Sequence, residues 1–219
     1  MAKAPGKAQR RKSLREDALN LPNMLTMGRI AAIPLVLVLM AQGTRECNFW
    51  AMMTYAVAAV TDFVDGWLAR RMGLTSLLGK FLDPLADKLI VLATLVMMVE
   101  QGHVPAWAVI VITARELSIT ALRTIAMSEG VVIAASRGGK DKTAVQMVAV
   151  LALILNDTYY MDYWFFRGLV NMNGVGLVLL YLSVAFTVIS AGEYIAVFVD
   201  AVEAKDRRLA EGGEARSED

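Results

Sequence analysis

Four aspartates carry the most chemical information in this chain. Asp62 and Asp65 stand three residues apart in Ala59-Val60-Thr61-Asp62-Phe63-Val64-Asp65-Gly66, and Asp83 and Asp87 stand four apart in Gly79-Lys80-Phe81-Leu82-Asp83-Pro84-Leu85-Ala86-Asp87. On a helix, those spacings put each pair on one face. Both pairs border long apolar runs, and an aspartate at mid-membrane costs roughly 2.5–3.5 kcal/mol, less near the interface. Four of them together cost on the order of 10 kcal/mol, comparable with the stability of a whole domain. Mutual repulsion adds to this. Protonation or bound cations relieve both costs. An all-oxygen donor set favours a hard divalent ion, Mg²⁺ or Mn²⁺, over zinc, which takes histidine or cysteine. The sole histidine, His103, maps to the opposite side of the membrane, and the sole cysteine, Cys47, excludes an intrachain disulfide.

Each of these residues has a plainer reading. Asp83 before Pro84 suits a helix N-cap, Asp65-Gly66 suits a turn, and Asp87-Lys88 suits a pair reaching for the interface. Taken together, the plain readings must explain four aspartates, two glycines and Arg70 on one inner-leaflet patch. Gly66 lies one turn beyond Asp62 and Gly79 one turn before Asp83, and each removes a side chain where a ligand or a helix would approach.

A second charged group involves a different stretch. Arg115 and Arg123 are eight residues apart, about 80° apart around a helix, and so can border one cavity. Glu116 is placed to hold an arginine. Lys140 and Lys142 follow, with Arg137, at an inner helix end, where the positive-inside bias also accounts for them. That bias does not account for Arg115, deep in an apolar run, where an unpaired cation is expensive and a buried anion is its natural partner.

The elements that must position these groups follow from the apolar runs. Of 219 residues, 57% are hydrophobic and 20% charged, more apolar than one small soluble core can bury. The expected fold class is all-α: a polytopic membrane protein of about six helices, near residues 22–42, 48–70, 80–100, 104–127, 141–157 and 172–199. Residues 1–20 read as a basic cytoplasmic segment, 21–200 as the transmembrane catalytic domain, and 201–219 as a polar, disordered cytoplasmic tail. The first run is too long, and too poorly closed by small residues, for a cleavable signal peptide. Bases gather before the first run, in the second-to-third and fourth-to-fifth connections, and after the last, while the opposite loops hold only Arg45 and Arg167. Both termini are therefore expected in the cytoplasm. The aromatic cluster Tyr159-Tyr160 and Tyr163-Trp164-Phe165-Phe166 falls on the outer side and reads as an interfacial belt. The net charge of +1 is thus a sum of opposed regions, and nothing in it points to a nucleic-acid partner.

The aspartate stretch reads Asp-x-x-Asp-Gly-x-x-Ala-Arg, eight residues, then Gly-x-x-x-Asp-x-x-x-Asp, with eight fixed positions across 26 residues. It resembles the full signature of the CDP-alcohol phosphatidyltransferase family. Pro22-Asn23-Met24-Leu25-Thr26-Met27-Gly28-Arg29 resembles the family's first-span opening. The segments Ala114-Arg115-Glu116-Leu117, Leu122-Arg123 and Gly139-Lys140-Asp141-Lys142-Thr143 are similar to the branch whose acceptor is sn-glycerol 3-phosphate.

The resemblance implies a six-helix membrane enzyme of phospholipid biosynthesis that displaces CMP from CDP-diacylglycerol with an alcohol. It further implies that Asp62, Asp65, Asp83 and Asp87 hold two divalent ions, Mg²⁺ or Mn²⁺, and that Asp87 doubles as general base. Gly66, Arg70 and Ser76, with Asn23 and Thr26, would line the CDP moiety. Arg115, Arg123, Lys140 and Lys142 would then bind the phosphate of sn-glycerol 3-phosphate, which a neutral acceptor such as serine would not need. Other acceptors, serine or inositol phosphate, remain compatible with the signature. A cation or proton transporter is the reading from a different class, but transporters carry polar groups through both leaflets and often show repeated halves. Neither feature is visible here. The resemblance also implies a homodimer, while the distribution of bases puts the active site on the cytoplasmic side of the cell's inner (plasma) membrane.

Overall fold

The computed structural model describes the backbone of residues 21–72, 77–128, 138–163 and 166–214. These form α1 (Leu21–Ala41), α2 (Arg45–Met72), α3 (Leu77–Glu100), α4 (Ala106–Ser128), α5 (Gly138–Leu155), β1 (Thr158–Tyr163), β2 (Phe166–Asn171) and α6 (Met172–Glu214). Each expected apolar run has its helix, and apart from the far end of α6 the ends fall within three residues of expectation. Among the described residues, Asn23–Ala41 and Met172–Ala204 are long and apolar enough to cross a membrane. The outward faces of other helices are apolar too: Trp50 and Val60 on α2, Ile110 and Leu117 on α4 are all more than half exposed. Such faces suit a lipid environment better than water.

The chain divides into two compact units, residues 1–94 and 95–219. In the first, α1 packs on α2. Steps of three and four residues choose the buried faces: Asn23, Thr26, Arg29, Val36 and Met40 on α1, and Asn48, Ala51, Tyr55 and Ala58 on α2. In the second unit α5 pairs along α6, and α4 also packs on α6. The buried stripe of α6 runs through Gly176, Leu180, Ser183, Thr187 and Tyr194. A Cβ on Gly176 would stand 2.6 Å from Leu153 Cγ and 3.0 Å from the Leu153 backbone nitrogen, so glycine sets how closely α5 and α6 approach. Trp107 of α4 stacks on Tyr181 of α6, with ring centroids 5.6 Å apart and planes 7° apart.

α3 ends in a Schellman motif. Gly102, at φ +74°, lets its N–H reach Val99 O (3.0 Å) while the His103 N–H reaches Met98 O (2.9 Å). α5 ends on Asn156, at φ +39°, a left-handed position that asparagine tolerates better than most residues.

Two features depart from the expected all-helical outline. The segment expected to be only an interfacial aromatic belt is an antiparallel hairpin, with Thr158 opposite Asn171 and Asp162 opposite Arg167. Tyrosines and Thr158 favour strands. Arg167 Nε donates to Asp162 Oδ1 at 2.6 Å across the ladder. Asn171 then caps α6, its Oδ1 accepting the Gly174 N–H at 3.1 Å. The second departure is that α6 continues to Glu214, so residues 201–214 are helical where a disordered tail was expected. Alanine, glutamate, lysine, arginine and leucine dominate that stretch, and all are strong helix formers.

Candidate active site

The first unit holds the aspartates. Asp62 and Asp65 lie in α2, Asp83 and Asp87 in α3, so each pair has the one-turn helical spacing that the sequence requires. The buried positions 48, 51, 55 and 58 of α2 advance by three and four, and that register continues to positions 62 and 65. The side chains of Asp62, Asp65, Arg70 and Asp83, the surroundings of Gly66, and all of Ser76 lie outside the described residues. Asp87 is described: it is exposed, and it interacts electrostatically with the buried Tyr55 of α2. Among the described residues no three metal-ligating side chains come together. As a donor set, four carboxylates on two helices fit a hard divalent ion.

Asn23 and Thr26 are almost wholly buried on α1, at 3% and 0% exposure. Arg29, 3% exposed, lies on the same face one turn further and was not singled out from the sequence. The signal was present as the three-residue spacing Asn23, Thr26, Arg29. A buried arginine in so apolar a helix is a polar commitment that only a specific partner offsets, and Arg29 does make polar interactions.

The second unit holds the arginines. Arg115, on α4, has a side chain 16% exposed, with Nη1 donating to Glu116 Oε1 and Nη2 donating to Ser190 Oγ of α6, both at 2.9 Å. Its Nε is buried and, among the described residues, has no hydrogen-bond partner. An unpaired Arg115 would require a bound anion for neutrality. Glu116 supplies a negative charge instead, so the anion is no longer required for neutrality. An arginine has five N–H donors, and Glu116 and Ser190 take one each, which leaves capacity for a further acceptor. Arg123, two turns along α4, is exposed. Lys140 and Lys142 lie in the first turns of α5, with side chains outside the described residues.

His103 has a structural partner within the second unit. Asn156 Nδ2 lies 2.8 Å from His103 Nε2 and joins the turn before α4 to the end of α5. The amide nitrogen can only donate, so the ring accepts at Nε2 and carries its proton on Nδ1. Burial lowers the His103 pKa below its ordinary 6.5, in keeping with that neutral form.

The family model for CDP-alcohol phosphatidyltransferases matches residues 19–189. A Bacillus subtilis (strain 168) protein named CDP-diacylglycerol–glycerol-3-phosphate 3-phosphatidyltransferase is 38% identical over 189 residues, covering 81% of this chain and 94% of its own. A protein of the same name from Haemophilus influenzae is 34% identical over 185 residues, covering 81% and 92%. An Arabidopsis thaliana protein of that name, numbered 2, is 37% identical over 200 residues, covering 83% and 81%.

Proposed function

The chain is a member of the CDP-alcohol phosphatidyltransferase family, and from that premise we propose that it transfers the phosphatidyl group of CDP-diacylglycerol to sn-glycerol 3-phosphate, yielding phosphatidylglycerophosphate and CMP. The observation that carries the choice of acceptor is the similarity, over most of both chains, to relatives from three organisms named for it. Arg115 supports the same acceptor, because a half-buried guanidinium with spare donors suits a phosphate and has no use for a neutral alcohol.

Family members are metal-dependent in general. On this reading Asp62, Asp65, Asp83 and Asp87 hold two Mg²⁺ or Mn²⁺ ions. When bound, the ions offset pyrophosphate charge that would otherwise repel an approaching oxygen nucleophile. Arg70 adds a cation to the same diphosphate, and Asn23, Thr26, Gly66 and Ser76 bound the nucleotide. Asp87 takes the proton from the acceptor hydroxyl as its oxygen bonds to phosphorus and the bond to the CMP oxygen breaks. A carboxylate is a weak base for an alcohol, so holding the two reactants in line contributes much of the rate. Arg115, with Arg123, Lys140 and Lys142, holds the acceptor's phosphate. The protein crosses the plasma membrane six times, with both termini and the chemistry on the cytoplasmic side.

Purified protein given CDP-diacylglycerol, Mg²⁺ and one acceptor at a time tests this. CMP release is expected with glycerol 3-phosphate and not with serine or inositol phosphate. Release with serine alone would overturn the acceptor, and no release with any acceptor would overturn the transferase reading.

A further inference from the structure

Ser183, Thr187, Ser190 and Tyr194 recur every three or four residues along α6, so one face of the helix carries four hydroxyls. Ser183 and Thr187 are fully buried and Tyr194 is 9% exposed. Ser183 Oγ lies 3.5 Å from Gln146 Oε1 on α5. Among the described side chains, the Thr187 and Tyr194 hydroxyls make no hydrogen bond. Ser190 differs from its neighbours. Its hydroxyl proton goes to Thr187 O at 3.1 Å, and its oxygen accepts from Arg115 Nη2 at 2.9 Å. A serine hydroxyl has a single proton. With that proton committed to the backbone of its own helix, Ser190 presents only lone pairs to α4. It can hold a cation's N–H there and has nothing to donate to an anion.

The guanidinium is therefore fixed from two directions. Glu116, its chain neighbour, sets one nitrogen, and Ser190, 75 residues away on another helix, sets the other. Glu116 alone leaves the planar group free to turn about the bond to Nη1. The second anchor removes that rotation, and a planar fork is useful to a phosphate only when its plane is fixed. Serine suits this role because it adds no second negative charge. A carboxylate at position 190 would make the cluster net anionic and repel the acceptor.

We infer that Ser190 is a positioning residue for the acceptor, acting through Arg115: it orients the guanidinium that receives the phosphate of glycerol 3-phosphate. The inference rests on the acceptor reading given above and adds to it a residue from α6.

Steady-state kinetics on the full-length protein in lipid nanodiscs test it, with Ser190→Ala, Ser190→Thr, Arg115→Ala and the Arg115→Ala/Ser190→Ala double variant. Ser190→Ala is expected to raise the glycerol 3-phosphate KM about three- to tenfold, leaving kcat and the CDP-diacylglycerol KM within about twofold. Ser190→Thr keeps a hydroxyl that can bond back to the preceding turn, and should return the KM to within about twofold of the parent. In the Arg115→Ala background, Ser190→Ala should add nothing, because the two act as one unit. If Arg115→Ala raises that KM and Ser190→Ala does not, Ser190 is packing only and this inference fails while the acceptor reading stands. Equal defects in the Ala and Thr variants, or a rise in both substrates' KM values, overturn it in the same way. An unchanged KM in Arg115→Ala removes Arg115 from the acceptor site, and the role of Ser190 falls with it.

Discussion

At the scale of single residues, the aspartates and Arg115 respond to different tests because their costs differ. Asp87 is expected to be both ligand and base, and a neutral isostere removes its proton affinity while keeping its shape. Asp87→Asn should lower turnover by at least about 10²-fold while CDP-diacylglycerol still binds, as read by tritium-labelled nucleotide retention. Turnover within tenfold of the parent would exclude Asp87 as the base. The aspartate pattern was legible from sequence because the helical spacing of two carboxylate pairs is a local property. The surroundings of Arg115 were not. Its partner Ser190 is 75 positions away, and nothing local in Ala114-Arg115-Glu116 shows which helix will face it. Glu116 was recognisable as an anchor because it is adjacent, yet its effect on the charge argument depended on a distance, 2.9 Å, that only the fold fixes. Arg29 was overlooked for the opposite reason: it sat in plain view, but burial, which marks it out, is a tertiary property.

At the scale of elements, close approach and capping are the vulnerable points. Gly176→Ala puts a methyl group into Leu153 of α5, an overpacking that costs about 1–3 kcal/mol. The expected readout is a lower thermal midpoint in detergent. Gly192→Ala, on the same helix with open space around its Cα, should leave that midpoint unchanged. Asn171→Ala removes the α6 cap and should cost about 1 kcal/mol. The His103–Asn156 contact adds a pH dependence of known sign. Burial lowers the folded-state pKa of His103 from 6.5, so between the folded value and 6.5 the unfolded chain binds more protons. The contribution to stability is complete above about pH 6.5 and is lost as pH falls through the folded value. His103→Gln should flatten that acid-side slope in a thermal-melt series from pH 7.5 to 5, and an unchanged slope would exclude the histidine as its source. Apart from the far end of α6, helix positions were readable from apolar run lengths to within three residues, because such runs are local and long. The hairpin was not. A short aromatic cluster serves equally well as an interface anchor and as a strand, and pairing with Phe166–Asn171 decides between them.

At the scale of the whole molecule, the sequence speaks through the distribution of charge rather than its total. A net +1 conceals lysine and arginine gathered at the helix ends proposed to face inward, against Arg45 and Arg167 at those proposed to face outward. That asymmetry yields a topology test. In a Cys47→Ser background, Tyr160→Cys on the exposed hairpin and Arg207→Cys on the exposed far part of α6 offer one thiol each. A membrane-impermeant maleimide added to intact cells should label the first and not the second. The reverse pattern would invert the proposed orientation. Composition alone could not have separated these outcomes, since inverting the chain leaves every residue count unchanged.

The length of α6 has a practical consequence. Its apolar stretch ends at Ala204, but the helix runs ten residues further, to Glu214, a rise of about 15 Å. A fluorophore joined directly at that end would ride on a stiff mast rather than a slack tether. Its emission would stay polarised, and energy transfer to a lipid dye would report one fixed standoff height instead of a blurred average.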